Sequence, residues 1–434
     1  MHTGGVSSNT VESPTKHSGL VKRNGNKLRK GVTLGLLAIW GPGIIVMLAD
    51  TDVGSTITAA QSGATWGYRL LLPELLLVPI LYVVQEMTAR LGIVTGKGHA
   101  ALIREHFGKG WALLSGTTLV ASAVGALVTE FAGVAGVGEL FGISEWITVP
   151  VATVFLIALA FSGSYRRVER VGLALGLAEL VFVPAMLLSH PHVTTMVRQA
   201  TNLPLHNSSF VFLLAANIGA VIMPWMIFYQ QGAVIDKLIP SGALRQERLD
   251  TGVGAILTQA IMIIIIIVFA ATVGRTSSGA PLQTVGEMSR ALQPFLGNLT
   301  AKVLLGIAIL GAGLVAALVA SLAGAWGLSE VLGWKHSLNE RSKGELRFYV
   351  TYGLAHILGA AVVLASVDLI SLAVDVEVMN AMLLPIVLGF LLLLEAKALP
   401  QSYRMHGAYK IATWFLCLVV IGFGLYMIPA TLHL

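Results

Sequence analysis

The sequence predicts an all-α membrane protein with eleven transmembrane helices, built as two inverted groups of five helices and one further helix. Three observations support this fold class. Hydrophobic residues make up 55% of the chain and charged residues only 12%, and the mean hydropathy is +0.80. The charges fall between apolar runs of about 20 residues, the length that crosses the hydrocarbon of a bilayer. Polar residues and helix breakers also interrupt two of these runs, the first and the sixth.

The apolar segments define the organisation of the chain. Residues 1–33 are polar and basic and lack the early apolar core of a secretory signal, so we expect a cytoplasmic tail. The first repeat is predicted at 34–190, the second repeat at 209–394, and the last helix at 408–430. The eleven predicted helices cover 34–62, 68–89, 111–138, 147–163, 171–188, 209–230, 252–273, 303–332, 348–365, 369–394 and 408–430.

The basic residues predict the orientation of the helices. If the tail is cytoplasmic and each segment crosses once, 23 of the 28 Lys and Arg residues lie on the cytoplasmic side, as the positive-inside rule requires. We therefore expect a multi-pass protein of the cell membrane with its C-terminus outside. Membrane anchoring accounts for the basic charge, and the loops contain no glycine-rich phosphate loop. The lipid bilayer is the expected partner, and neither nucleic acid nor nucleotide is expected.

The first predicted helix carries two acids near the middle of the membrane. Asp50 and Asp52 precede Gly54 and Ser55. A carboxylate at the bilayer centre costs about 2.5–3.5 kcal/mol on insertion scales, which makes it a candidate functional group. Two acids beside a glycine suit an unwound ion site, although Asp52 could alternatively only cap a helix. Residues two apart cannot face one point of a regular helix, so Asp50 is either a ligand or a residue of the pathway.

The sixth predicted helix is interrupted at Pro224, which follows Met223. Proline has no N–H and clashes with the preceding turn, so carbonyls near Ala220 become free to bind a cation. A methionine in an apolar helix usually fills a core, but its place beside this break also allows its sulfur to face an ion.

These two interruptions predict an inverted repeat. Each lies in the first helix of a five-helix half, and an odd number of spans per half reverses the second copy in the membrane. Broken helices at matching positions mark the substrate site at the midplane in secondary transporters of the leucine-transporter type. The repeat rests on hydropathy and position, since the two halves show no direct sequence similarity.

The chain from about Gly41 to Gly108, and again from Asn217 to Gln231, resembles the NRAMP divalent-metal transporters. Residues 60–68 (AQSGATWGY) and 85–92 (QEMTARLG) fit the segments that follow the Asp-Pro-Gly-Asn motif of that family, and residues 52–55 (DVGS) occupy the motif itself. The resemblance implies a leucine-transporter-like fold and a divalent metal ion as substrate, with no cofactor. It also implies a set of metal ligands: the side chains of Asp52, Ser55 and Met223, the carbonyls of Ala49 and Ala220, and, during occlusion, Gln85.

The chain departs from the family pattern at several positions. Val53 and Ser55 replace the proline and asparagine of the motif, and Trp225 and Gln230 stand where the family usually has histidines. Such losses leave few titratable groups for a proton relay. In this respect the chain is similar to the NRAMP-related branch associated with magnesium and with transport not driven by protons.

Other polar residues are weaker candidates for the pathway. Glu130 in the third helix matches a family acid, whereas Gly133 stands where the family has a second one. Asp375, Glu377 and Asn380 lie within the tenth segment, where we expect them to break the helix and line a permeation path.

The sequence therefore favours a monomeric secondary transporter that takes up divalent metal ions, either Mg²⁺ or Mn²⁺/Fe²⁺, without a strict requirement for protons. The thioether of Met223 favours Mn²⁺ or Fe²⁺, because a soft ligand offers hydrated Mg²⁺ little.

A proton-coupled Mn²⁺/Fe²⁺ symporter and an amino-acid transporter on the same architecture remain alternatives. An intramembrane enzyme is disfavoured, because both acids share one break and no Ser-His pair or zinc motif is present. The single cysteine, Cys417, excludes a disulfide framework.

Overall fold

The computed structural model describes residues 41–276, 282, 284–339, 345–365 and 369–432, and these residues form helices and connecting loops without any strand. The prediction of an all-α protein is confirmed. The tail at 1–33 and the beginning of the first predicted helix lie outside the described residues.

The helices of the described residues are named here in chain order. They are α1 (Pro42–Asp50), α2 (Val53–Trp66), α3 (Leu71–Thr95), α4 (His99–Phe107), α5 (Lys109–Leu140), α6 (Glu145–Ala160), α7 (Tyr165–Gly176), α8 (Phe182–Leu188), α9 (Val193–Ala200), α10 (Ser208–Val221), α11 (Pro224–Asp236), α12 (Leu244–Thr276), α13 (Val285–Leu296), α14 (Asn298–Leu332), α15 (Leu346–Leu364), α16 (Leu369–Ala398) and α17 (Gly407–Leu432).

Each predicted apolar segment coincides with one or more of these helices. Within the described ranges, nine helical stretches are long and apolar enough to cross a membrane, one of which runs from Val53 to Thr95 across two predicted segments. A shorter apolar helix covers Glu145–Ala160. The total of eleven spans and the division into repeats at 190 and 209 stay predictions.

The fifth predicted helix differs from its expected form. It begins at Tyr165 as α7, passes through a 3₁₀ turn at Leu177–Val181 and ends as α8. The turn contains Glu179, which is buried and whose Oε2 accepts a hydrogen bond from Thr51 Oγ1. Tight 3₁₀ stretches inside helices often mark hinges or local strain.

The tenth predicted helix is not broken. Helix α16 is continuous from Leu369 to Ala398, so the expected break was wrong. Within it, Asn380 Nδ2 donates to Glu377 Oε2 at 3.0 Å, and Ser122 Oγ of α5 donates to Asn380 Oδ1 at 2.7 Å. These buried polar side chains are therefore satisfied by one another and do not compete for the backbone groups of α16.

Close helix contacts hold the first broken helix in place. Helix α12 packs against both α1 and α2. A Cβ on Gly43 would lie 2.8 Å from Thr251 N, and a Cβ on Gly63 would lie 2.8 Å from Ala270 N. Glycine is therefore required at both crossings, one in each half of the broken helix.

Candidate metal site

The first break lies between α1 and α2, at Thr51 and Asp52. Asp52 has an extended backbone, with φ −64° and ψ 179°, and caps α2 through Oδ1, which accepts a hydrogen bond from Ser55 N at 2.6 Å. Its second oxygen, Oδ2, is buried and has no hydrogen-bond partner among the described residues. Asp52 therefore caps α2 with one oxygen, while its second oxygen stays without a hydrogen-bond donor among the described residues.

The break also frees a backbone carbonyl in α1. In a continuous helix the N–H of Val53 would donate to the carbonyl of Ala49. Here Val53 N donates to Glu130 Oε2 of α5 at 3.1 Å. The Ala49 carbonyl, which belongs to a fully buried residue, therefore lacks its helical donor and is available as an oxygen ligand.

The second break lies between α10 and α11. Ile222 and Met223 have non-helical backbones, and Pro224 is the first residue of α11. Proline has no N–H to donate to the carbonyl four residues earlier, which is that of Ala220. Met223 is completely buried. The break lies at the predicted position, and the Ala220 carbonyl lacks its helical donor.

The two breaks face each other. Ser55 Oγ of α2 donates to the Ala220 carbonyl at 3.1 Å. A second link between the same helices lies further along α2, where Asn217 Nδ2 donates to Ser62 Oγ at 2.8 Å. Ser55 therefore connects the capped carboxylate of Asp52 to the freed carbonyl of the second break.

Further carboxylates surround the first break. A Cβ on Gly54 would collide with Glu377 Oε1 and would lie 3.3 Å from Asp52 Oδ1, so Glu377 of α16 approaches the break closely. Glu130 contacts it through Val53 N, and Glu179 contacts it through Thr51. The contact between Thr51 and Glu179 was not predicted, because nothing in the sequence pairs a threonine in one helix with an acid in another.

The remaining predicted residues do not all reach the site. Asp50 is nearly fully buried, and its Oδ1 has no partner among the described residues. Gln85 is fully buried, and neither end of its amide makes a hydrogen bond there. Asp375 is exposed and does not share the buried network of Glu377 and Asn380. The roles of Asp50 and Gln85 at an ion stay predictions.

One departure from the family pattern has a direct structural counterpart. A Cβ on Gly133 of α5 would lie 2.6 Å from Val53 Cγ2. Val53 thus fills the space that a side chain at position 133 would need. Val53, which stands at the position of the motif proline, therefore lies against Gly133, which stands at the position of the second acid.

The donor set of the site is mixed. No three His, Cys, Asp or Glu side chains converge in the part of the chain that the structure describes. The ligands predicted from the sequence are the Asp52 carboxylate, neutral oxygens and the Met223 thioether, which is a set for a divalent ion of intermediate softness.

Comparison with known proteins supports the same family. The family model described as natural resistance-associated macrophage protein-like matches residues 43–430. A divalent metal cation transporter, MntH, of Aeromonas hydrophila is 26% identical over 409 residues, which cover 91% of this chain and 96% of that transporter.

Solved structures agree in fold. The crystal structure of the Eremococcus coleocola manganese transporter in complex with an aromatic bis-isothiourea substituted compound matches with a TM-score of 0.75 at 21% identity, over 97% of this chain and 89% of that one. A transporter of the nucleobase-cation-symport-1 family matches with a TM-score of 0.61 at 13% identity, over 90% and 92% of the two chains. The predicted leucine-transporter-like fold is confirmed, and the chain belongs to the NRAMP family, whose members are metal ion transporters and not enzymes.

Proposed function

We propose that this multi-pass membrane protein carries divalent metal ions into the cytoplasm through a site between the two breaks. The observation that carries the proposal is that Ser55 bonds to both breaks: its N–H donates to Asp52 Oδ1, and its Oγ donates to the Ala220 carbonyl. Helices broken at matching positions bind the substrate at the midplane in transporters of this fold.

The proposed ligands are Asp52, Met223 and the carbonyls of Ala49 and Ala220, with Ser55 holding the two breaks together. Asp52 supplies the negative charge. The two carbonyls and the thioether replace part of the hydration shell of the ion without adding charge. Asp50 and Gln85 are proposed to approach the ion only when the site closes around it.

Mn²⁺ is the proposed substrate of first choice. The thioether of Met223 favours a transition metal over Mg²⁺, and the similar proteins named above are a divalent metal cation transporter and a manganese transporter. Mg²⁺ is the second candidate, because Glu377 places a further carboxylate beside Gly54 and Mg²⁺ binds through carboxylates and retained water.

Metal-dependent stability of the purified protein tests the proposal. A ligand that binds only the folded state at 100 times its dissociation constant stabilises it by about 2.7 kcal/mol. We expect Mn²⁺ to raise the melting temperature, whereas L-amino acids at equal concentration leave it unchanged. Stabilisation by amino acids and not by metals would instead favour the amino-acid transporter on this fold.

The driving force, the orientation and the oligomeric state belong to the same proposal. We infer a monomer with a cytoplasmic N-terminus and an outside C-terminus, in which the metal gradient and the membrane potential drive uptake. The charge distribution supports the orientation. The residues at positions 133, 225 and 230, which cannot relay protons, support uncoupled transport.

A further inference from the structure

An apolar groove lies between α5, α6, α7 and α14, away from both breaks. Its volume is about 630 Å³, and among the described residues that line it Thr148 has the one polar side chain. Three apolar residues of its lining, Phe141, Val151 and Ile307, are 47%, 63% and 44% exposed. Helices α5 and α14, and the stretch Tyr165–Leu188 that contains α7, are each long and apolar enough to cross a membrane. The groove therefore opens toward the hydrocarbon of the bilayer.

Close contacts at two glycines of α14 border the groove. A Cβ on Gly306 would lie 3.0 Å from Phe141 Cε2 of α5, and a Cβ on Gly311 would lie 2.5 Å from the Leu175 carbonyl of α7. The helices meet at these glycines, and the described residues leave the space beside them unfilled. Protein interiors are packed with few voids larger than a water molecule. We therefore expect another molecule to occupy the groove.

The length of the groove matches one leaflet of a bilayer. Along α14 its lining extends from Val303 to Leu314, which is about 16.5 Å at 1.5 Å per residue. The hydrocarbon core of a bilayer is about 30 Å thick, so one leaflet contributes about 15 Å. Water is a poor occupant, because a buried water needs roughly two to four polar partners and the groove offers one side-chain hydroxyl. An acyl chain of one leaflet fits both the length and the apolar lining.

A basic side chain stands at one end of the groove. Lys302 precedes Val303 directly and lies four residues before Gly306, so it is on the same face of α14 as Gly306 and one turn nearer the start of the helix. Lys302 is partly exposed, and its side chain forms no ion pair among the described residues. Lysine side chains near the ends of membrane helices extend toward the headgroups. The groove and Lys302 thus match the chain and the phosphate of a single lipid.

The groove also borders the elements that hold the first break. Ala178 lines it and lies in the 3₁₀ turn whose Glu179 accepts a hydrogen bond from Thr51 Oγ1. Val134 lines it one turn after Glu130 of α5, the other acid that accepts a hydrogen bond from the break. An acyl chain in the groove would therefore pack against both of these elements.

We propose that the groove binds an acyl chain of a phospholipid, that Lys302 contacts the phosphate of this lipid, and that the bound lipid stabilises the helices around the first break. Only the choice of leaflet rests on the proposed function. In the orientation given there, α14 begins outside, so the lipid belongs to the outer leaflet.

Native mass spectrometry of the full-length, metal-free protein tests the inference, with phosphatidylglycerol added after detergent has removed the native lipid. Val151→Trp fills the groove, and Val154→Trp is the matched control. Both valines lie in α6 and are 63% and 67% exposed, but of the two only Val151 lines the groove. The wild-type protein and Val154→Trp are expected to retain one lipid at collision energies that remove all others, and Val151→Trp is expected to lose it.

Equal retention of the lipid in Val151→Trp and the wild-type protein would overturn the site, and so would equal loss in both tryptophan variants. Retention of stearate but not of phosphatidylglycerol would overturn the phospholipid. A wild-type dimer that Val151→Trp dissociates would assign the groove to a second copy of the chain and would overturn the inference as well. Ile307→Trp, which fills the groove from α14, repeats the test with the same outcomes if Val151→Trp fails to fold.

Two further measurements test the phosphate contact and the stabilising role. Lys302→Gln should weaken phosphatidylglycerol binding by about fivefold, whereas Lys410→Gln, at an exposed position in α17, should not. Unchanged binding in Lys302→Gln would remove the phosphate contact. Phosphatidylglycerol should raise the melting temperature of Val154→Trp more than that of Val151→Trp. Equal shifts would contradict a stabilising lipid, and because no metal is present, neither result depends on the metal site.

Discussion

The two breaks free equivalent carbonyls by different means. At the first break, the N–H of Val53 donates to Glu130 Oε2 and not to the carbonyl of Ala49. At the second, Pro224 has no N–H to give to Ala220. The first break depends on a contact between helices, whereas the second is built into the covalent structure of the chain.

The side chains at the two breaks differ as well. The first break presents a carboxylate with an unpartnered oxygen, Asp52, and further acids lie around it. The second presents a thioether, Met223, in a fully buried and otherwise apolar stretch. One broken helix therefore supplies a charged carboxylate ligand, and the other supplies a soft thioether ligand. We infer that the first break sets the strength of metal binding and that the second sets the choice of metal.

The largest expected effect tests the first half of this comparison. Asp52→Asn keeps the volume and the capping oxygen but removes the charge of the proposed anionic ligand. Loss of groups that merely orient a metal ligand costs about 10- to 100-fold in affinity, so loss of the charged ligand itself should cost more for every ion. We expect flux of Mn²⁺ and Mg²⁺ into proteoliposomes to fall to background.

Glu139→Gln is the control for that variant, because Glu139 is an exposed acid on α5. It should transport like the wild-type protein. Normal flux in well-folded Asp52→Asn would remove the first break from the site.

The second prediction concerns the choice of metal. Met223→Ala should weaken Mn²⁺ and Cd²⁺ transport by about tenfold, equivalent to about 1.4 kcal/mol, while Mg²⁺ changes little because it gains almost nothing from sulfur. Competition between these ions in a flux assay measures the difference.

Met226→Ala is a closely matched control. Met226 is also completely buried and lies three residues further on, in the first turn of α11, so its truncation removes similar packing. Equal weakening of all ions in Met223→Ala, or the same selectivity change in Met226→Ala, would mean that Met223 only packs.

The third prediction concerns the link between the breaks and has a smaller expected effect. Ser55→Ala removes the hydrogen bond to Ala220, which is worth about 1 kcal/mol, so Mn²⁺ affinity should fall by about fivefold without a change in selectivity. Ser62→Ala removes the parallel link to Asn217 away from the breaks and should leave affinity unchanged. If both variants lose affinity equally, the links serve packing and not the site.

Much of this arrangement was predictable from the sequence. Apolar length gave the helices, and Gly54 and Pro224 marked the breaks, because these features act within a single segment. The continuity of α16 was not predictable, since it depends on Asn380 meeting both Glu377 and Ser122. Hydropathy alone cannot show whether a buried polar side chain has found a partner in another helix, as Asn380 has in Ser122.

The contacts of Glu130 and Glu179 illustrate the same limit. The sequence identified Glu130 as a pathway acid, but its bond to Val53 N, which helps to form the first break, requires knowledge of how α5 crosses α2. Contacts between helices join residues far apart in the chain, and no local pattern records them.

The smallest expected effect concerns protons: metal entry should not acidify the interior of a vesicle. A proton relay needs titratable groups in succession across the membrane. Around the breaks, several acids accept hydrogen bonds from groups that do not titrate near neutral pH: Glu130 from Val53 N, Glu179 from Thr51 Oγ1, and Glu377 from Asn380 Nδ2. Gly133 cannot be replaced by an acid without displacing Val53.

A pH-sensitive dye inside liposomes during Mn²⁺ or Mg²⁺ uptake, with protein-free vesicles as the leak control, measures this directly. We expect no acidification above the leak, and we expect uptake to follow the metal gradient and the membrane potential, because a bound cation keeps the carboxylate of Asp52 ionised. Acidification that scales with metal flux and disappears in Glu130→Gln would show that Glu130 passes protons as well as shaping the break. The first break would then set the coupling in addition to the strength of binding.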